Sequence, residues 1–328
     1  MIKLSETTLD SLLSPYDLSH STVEYLGGGR EDSDGICFSF RQDGKPMVVK
    51  LLAWKEPEEA FAFTRKRVEE RVAFAFYLGC RGADVVNPVK DGGGRLYRHS
   101  HDGQYGYLSY LMDRAEGEPP APELWDDALL GQWGAAVGRM HRLAGQYEHW
   151  RQSPHQGADG QPLLGWRNEV RGFRDWCRDS EVKERWVEME RRLEQLPMER
   201  DCFGFIHNDP HGHNILFDGS AVKVIDFDVA NYHWFMTDMA IALQSALFTW
   251  GGMERPVTDA AAVQRFFHGF LAGYEREHHL SGQWLGRLGL FVNYRRMLLF
   301  TVMQDWLDSN AELKESWKRM ILEEPDVS

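Results

Sequence analysis

Hydrophobic periodicity divides the chain into two unlike halves. In the first, short runs alternate apolar and polar positions: VEYLGGG (23–29), ICFSF (36–40), MVVKLLAW (47–54), VVNPV (85–89), RLYRHS (95–100) and YGYLSYLM (105–112). A period of two predicts half-buried strands, and the Asp43-Gly44 turn predicts that the second and third form an antiparallel hairpin. One long helical stretch, 58–80, interrupts them, with Gly79 and Gly82 as stop signals. At DRAEGEPPAPE (113–123) three prolines, a glycine and four acidic residues break the pattern, as a linker would. Beyond it the period becomes helical. Leu130, Gly134, Val137, His141 and Ala144 share one face, a charged helical pair covers 167–197, and 236–322 reads as aromatic-rich helix. Within this half ILF (215–217) and AVKVIDFD (221–228) flank an Asp218-Gly219 turn and predict a second hairpin. The expected division is 1–112, a connection at 113–123, and 124–328.

The 328 residues suffice for two lobes with a sizeable core. No apolar run approaches the ~20 residues of a membrane helix, and MIKLSETTLD lacks the apolar stretch of a signal peptide. The expectation is a cytoplasmic protein with no membrane partner. Cys37, Cys80, Cys177 and Cys202 are scattered, which argues against a disulfide framework or a cysteine zinc site. A net charge of −13 disfavours nucleic-acid binding, which needs basic surface, and would suit a cationic small molecule.

The chemistry concentrates in FIHNDPHGHNILF (205–217). His207, Asp209 and Asn214 are spaced H-x-D-x-x-x-x-N, and Asp226 follows twelve residues after Asn214. A hairpin between them would fold Asp226 back beside Asn214. One free carboxylate, one amide oxygen and a further carboxylate would then share a space. Phosphoryl transfer uses such a set: magnesium takes a few protein oxygens and completes its shell with water and phosphates, and a separate carboxylate orients the attacking hydroxyl. The competing reading, H-x-D-x-H-x-H as a zinc or two-metal hydrolase centre, would need Asp226, Asp228 and His233 to complete it.

The pattern H-x-D-x-x-x-x-N followed by I-D-F resembles the aminoglycoside phosphotransferase family, bacterial small-molecule kinases within the protein-kinase-like fold. GRMHRLA (138–144), and Asp238 in the D-x-A element of YHWFMTDMAIAL, fit the same resemblance. It implies an α+β, two-lobed fold: an N-terminal antiparallel sheet with one helix, then a larger, mainly helical lobe. It implies ATP and Mg as cofactors and a small-molecule hydroxyl as acceptor. Asp209 would be the catalytic base, Asn214 and Asp226 the metal ligands, and His207 a support of the loop. Lys50 at the end of MVVK would hold the α/β-phosphates and pair with Glu70, Glu69 being the rival. Gly28 and Gly29 would cover phosphates, and YLMDRAEG (110–117), with Met112, would be the hinge whose backbone meets adenine. Asp228 would serve loop hydrogen bonding or stand behind the metal. Pro210, His211 and His213 depart from the family's usual residues, and the glycine loop lacks a clean G-x-G-x-x-G. A non-catalytic nucleotide-binding protein of the same fold is the alternative that the retained Asp209, Asn214 and Asp226 argue against.

Overall fold

The structure is a computed structural model that describes residues 4–29, 35–55, 58–157, 160–252 and 260–323. The predicted alternation becomes one antiparallel sheet of β1 (Glu24–Gly28), β2 (Ile36–Gln42), β3 (Lys45–Lys55), β4 (Pro88–Val89), β5 (Arg98–His101) and β6 (Tyr105–Asp113). The order is β1-β2-β3-β6-β4, with β5 also on β6. Of the run 85–89 only Pro88 and Val89 pair along β6; Val85 turns away to bridge Val224 in the other lobe.

Period two sorts the two faces of this sheet. Met47, Val49 and Leu51 point with Tyr107 and Leu111 toward α1 (Glu6–Leu13), where Leu12 and Leu13 are buried. The N-terminus is therefore helical, capped by Ser5, whose hydroxyl accepts the Thr8 N–H. Its polar composition hid this: only two of its eight residues are buried. The opposite face carries Leu108 and Tyr110 against Val68 and Val72 of α2 (Glu58–Cys80). Lys50 lies on this second face, paired with Tyr110 across β3 and β6.

The second lobe is built from α3 (Asp127–Ala144), α4 (Trp166–Trp176), α5 (Ser180–Glu194), α6 (Phe235–Gly251), α7 (Ala260–Tyr274), α8 (Gly282–Leu285), α9 (Leu288–Val302), α10 (Gln304–Asp308) and α11 (Ala311–Leu322). Its core is the largest apolar cluster, and α3 packs on α7 almost backbone to backbone. A Cβ on Gly134 would stand 1.9 Å from the Phe270 carbonyl oxygen, and one on Gly273 would stand 1.7 Å from that of Gly131. Two short ribbons are set into this helical lobe. The predicted hairpin forms as β8 (Ile215–Phe217) and β9 (Val222–Val224). The other pairs β7 (Phe203–Ile206) with β10 (Asn231–Trp234), which the periodicity had not separated from the neighbouring helix. The lobes are stitched by Val86 N–H to the Val224 carbonyl at 2.9 Å and Phe217 N–H to the Glu118 carbonyl at 2.9 Å. Among the described residues no helix is long and apolar enough to cross a membrane.

Candidate active site

The two ribbons bring the sequence constellation together. The Ile215–Val224 pair closes the hairpin, and the Ile225 N–H donates to the Asn214 carbonyl at 2.9 Å, so Asp226 emerges beside Asn214. His207 ties this hairpin to the loop that carries Asp209. Its Nδ1 accepts the Asp209 N–H at 3.2 Å, which leaves the proton on Nε2 to be donated to the Ile225 carbonyl at 2.8 Å. Asp238, at the start of α6, holds the other side. One of its oxygens accepts the Asn208 N–H at 2.7 Å; the other accepts the His207 N–H and His141 Nε2, each at 3.1 Å. His141 is thus a bonded core histidine whose Nδ1 accepts the Tyr274 hydroxyl at 2.8 Å. Asn208 and Asp226 both adopt φ of +67°, a conformation costing non-glycine residues about 1 kcal/mol or more. These bonds hold it in place.

Asp209 faces a cavity of about 1080 Å³ in the helical lobe. Arg295 of α9 donates to its Oδ1 at 2.7 Å, and His211 Nε2 lies 3.4 Å from its Oδ2. Burial pushes this carboxyl up, but the Arg295 charge, with His211 and His207 assisting, outweighs it and holds the pKa at about 2. The carboxylate is therefore ionised at neutral pH. Neither Arg295 nor Glu169 was foreseen from the sequence. Glu169 of α4 is half-buried; its carboxylate accepts the Tyr294 hydroxyl at 2.5 Å and the amides of Asn208 at 2.6 Å and Asn231 at 2.8 Å. It thereby fixes the strained residue next to Asp209. No spacing rule links 169, 208, 231 and 294; a lone acidic residue near the start of an amphipathic helix was the only signal.

A second cavity, about 790 Å³, opens between the lobes. Lys50, Cys37, Met112, Asp226 and Asp228 line it. Lys50 is buried, and its ammonium lies 3.1 Å from Asp226 and 2.7 Å from Asp228. Burial opposes its charge, but Asp228 and Asp226 more than restore it. The expected Lys50–Glu70 pair does not form. Glu70 is buried on the inward face with Phe74, as its helical position predicts, but there its two oxygens accept the Tyr232 hydroxyl at 2.8 Å and the Ser153 hydroxyl at 2.6 Å. Glu69 instead pairs with Arg65. Asp228 is accordingly an ion-pair partner of Lys50 rather than only a loop hydrogen-bonding residue. Gly28 and Gly29 both have positive φ, and Gly35 packs so closely that a Cβ would meet the Lys50 side chain at 2.4 Å. The rest of the glycine loop, 30–34, lies outside the described residues.

The hydrolase alternative fails on geometry. Among the described residues no group of three His, Cys, Asp or Glu side chains could hold a metal. His233 is buried, which presses its pKa down to about 3, and its Nδ1 bonds Trp234 and Thr237. A magnesium-type site fits better, since it asks for few protein ligands. Asp226 is 43% exposed, and the Asn214 amide nitrogen donates to the Asp209 carbonyl at 2.9 Å, which leaves the amide oxygen as the end free for a cation. The cationic acceptor suggested by net charge finds no support. The large cavity's described carboxylates are Asp209, bound to Arg295, and Glu169, fully bonded, beside three arginines.

A two-lobed fold with a lysine and an aspartate in the interlobe cleft, and an ionised aspartate facing a second cavity, defines a kinase-like phosphotransferase. The chain belongs to the phosphotransferase enzyme family, whose model matches residues 55–280, and by class it is a small-molecule kinase with a hydroxyl acceptor. Over 324 residues it is 24% identical to amicoumacin kinase of Bacillus subtilis (strain 168), covering 96% of this chain and 89% of that one. An amicoumacin kinase in complex with AMP-PNP, Ca2+ and Ami superposes with a TM-score of 0.76 at 22% identity, covering 93% of this chain and 89% of the other. A microcompartment-associated aminopropanol kinase gives 0.59 at 18% identity, covering 97% and 93%. A spectinomycin phosphotransferase bound to ADP and spectinomycin gives 0.55 at 16%, covering 96% and 94%. Nucleotide and divalent-metal use go with this class.

Proposed function

We propose that this protein transfers the γ-phosphoryl group of ATP to a hydroxyl of a bulky, largely apolar small molecule. The observation that carries the reading is that Asp209 lines the larger cavity and Asp226 the interlobe cleft, with His207 and Ile225 joining them. Residues 1–112 would form the nucleotide lobe, 113–123 the connection carrying the adenine-facing backbone near Met112, and 124–328 the catalytic lobe. Mg bound by Asn214 and Asp226 would neutralise phosphate charge. Lys50 would hold the α/β-phosphates, Gly28 and Gly29 would lie over them, and Glu70 would act on the site only through the position of α2.

Asp209 orients the acceptor hydroxyl and takes its proton as the oxygen attacks phosphorus. Its low pKa makes it a weak base, so it receives the proton late, once the loose transition state has acidified the attacking oxygen. Most of its contribution is then orientation and charge. Trp125, Phe173, Trp176 and Phe248 give the acceptor cavity aromatic walls, and a volume of about 1080 Å³ exceeds what an amino alcohol would fill. These walls favour an acceptor with a large apolar body and disfavour a polycation. Amicoumacin heads the panel of acceptors to try, with spectinomycin and aminopropanol as polar contrasts. Asp209→Asn should lower phosphoryl transfer by ~10²–10⁴-fold while leaving ATP affinity within about threefold. Turnover at the wild-type rate in that variant overturns the assignment.

A further inference from the structure

We propose that Arg71 is a catalytic cation that stabilises the γ-phosphoryl group while it passes from the nucleotide cleft to the acceptor. This inference rests on the phosphotransfer reading above. The two cavities are separate, yet among the described residues Arg71 alone lines both. Arg71 therefore stands in the wall between the two, within reach of a group that leaves one cavity and bonds to a molecule in the other.

The helix geometry explains how it reaches there. Residues one apart on α2 are rotated by about 100°. Glu70 points into the core, held by Ser153 and Tyr232, so Arg71 is turned toward the loop that follows Asp226. Its Nε donates to the Ala230 carbonyl at 3.0 Å, which anchors the side chain at its neck and leaves the terminal nitrogens as donors. Among the described residues Arg71 forms no ion pair. The carboxylates whose charge it feels are committed elsewhere: Asp228 to Lys50, Glu169 to Tyr294, Asn208 and Asn231, and Glu70 as above. A half-buried guanidinium without its own counter-ion is costly unless an anion arrives to match it. Arginine also suits this position chemically, because its planar fork matches the oxygens of a phosphoryl group.

In the step itself, the acceptor oxygen forms a bond to the γ-phosphorus as the bond from that phosphorus to the β,γ-bridging oxygen breaks. The bridging oxygen leaves with the electron pair on ADP, and the hydroxyl proton goes to Asp209. Charge then spreads over the three equatorial oxygens. Lys50 remains with the phosphates that stay behind, whereas Arg71 follows the one that moves.

The test compares wild type, Arg71→Lys, Arg71→Gln and Arg71→Ala, each checked for folding by thermal unfolding, with Asp209→Asn alongside. Binding of Mg·ADP is measured with and without aluminium fluoride, a planar phosphoryl mimic, and needs no known acceptor. Wild type should bind the ADP–fluoride complex ~10²-fold or more tightly than ADP, and the Arg71 variants should lose that tightening while keeping ADP affinity within about threefold. Where an acceptor turns over, kcat should fall ~10²–10³-fold in Arg71→Ala with little change in either KM, and added guanidinium should restore part of it. Full tightening in folded Arg71→Lys and Arg71→Gln, or no tightening in wild type, overturns the proposal. If Asp209→Asn is inactive while all Arg71 variants behave as wild type, the role of Arg71 falls and the phosphotransfer reading stands. Wild-type turnover in Asp209→Asn removes that reading itself.

Discussion

The interlobe cleft and the larger cavity, the proposed acceptor site, are assembled differently. The cleft takes Lys50 from one face of a sheet and Asp226 from the end of a hairpin, so the first follows from strand alternation and the second from hairpin closure. The acceptor cavity takes its groups from loops and helices far apart in the chain. Arg295 reaches Asp209 across 86 positions, and Glu169 meets Tyr294 across 125. Backbone-templated sites fix the general chemistry of phosphate and metal, whereas a cavity walled by helix side chains can be reshaped without disturbing that chemistry. In the proposed reading, the protein is a common phosphoryl donor site facing an individual acceptor site.

The strongest break in this comparison comes from the cleft. Asp226→Ala removes the proposed metal ligand and leaves the buried Lys50 with only Asp228. Turnover should fall by ~10³-fold or more, and nucleotide affinity should cease to depend on Mg concentration. Titration of ATP at several Mg concentrations checks this. Retention of the magnesium dependence would move the metal site elsewhere.

That asymmetry also governs what could be read from the chain. Strand and helix periods located α2 to the residue, the sheet and the hairpin, because each buries one face of a regular element. That Asp209, Asn214 and Asp226 come together was legible because their spacing is local and a hairpin closes between them. The pairing of Lys50 was misread. A carboxylate on a helix and a lysine on a strand meet only if the helix rotates correctly, and Ser153 and Tyr232 compete for Glu70 with hydrogen bonds that no local pattern reveals. The β7–β10 ribbon was missed because NYHW runs straight into an apolar helix, so its four residues lacked a boundary. The acceptor cavity's lining was illegible for the same reason that makes it specific: its side chains converge only in three dimensions.

A smaller effect sharpens the link between the two regions. Arg295 outweighs the burial of Asp209 and holds its pKa at about 2, so the proposed base stays charged well into the acid range. A carboxyl depressed on folding loses its ionised form only as pH falls through the folded value. Wild type should therefore show no acid limb from Asp209 above pH ~4. Arg295→Gln removes the dominant charge and leaves burial to act. The limb should move upward, into or above the ordinary carboxylate range, with kcat lower by ~10–10²-fold on its plateau. A pH–rate profile of kcat checks this, and an unmoved limb would mean that Arg295 does not set the charge of the base.

The gentlest test acts only on the acceptor wall. Trp176 is 52% exposed, yet it lines the acceptor cavity and stacks near Phe173 with ring planes 26° apart. An exposed aromatic at the end of α4 adds little to folding, because much of its surface stays wet in the native state. Its truncation should leave thermal stability nearly unchanged. If a bulky apolar acceptor covers it, that acceptor loses roughly 40–80 Å² of buried contact, about 1–2 kcal/mol at ~25 cal/mol/Å². Trp176→Ala should then raise the acceptor KM by ~5–30-fold, with the KM for ATP and kcat both preserved. The polar contrasts supply the control, since an amino alcohol too small to reach Trp176 should be indifferent to the change. An equal rise in the KM for ATP would show that the two cavities are not independent, and the division between a common donor site and an individual acceptor site would have to be abandoned.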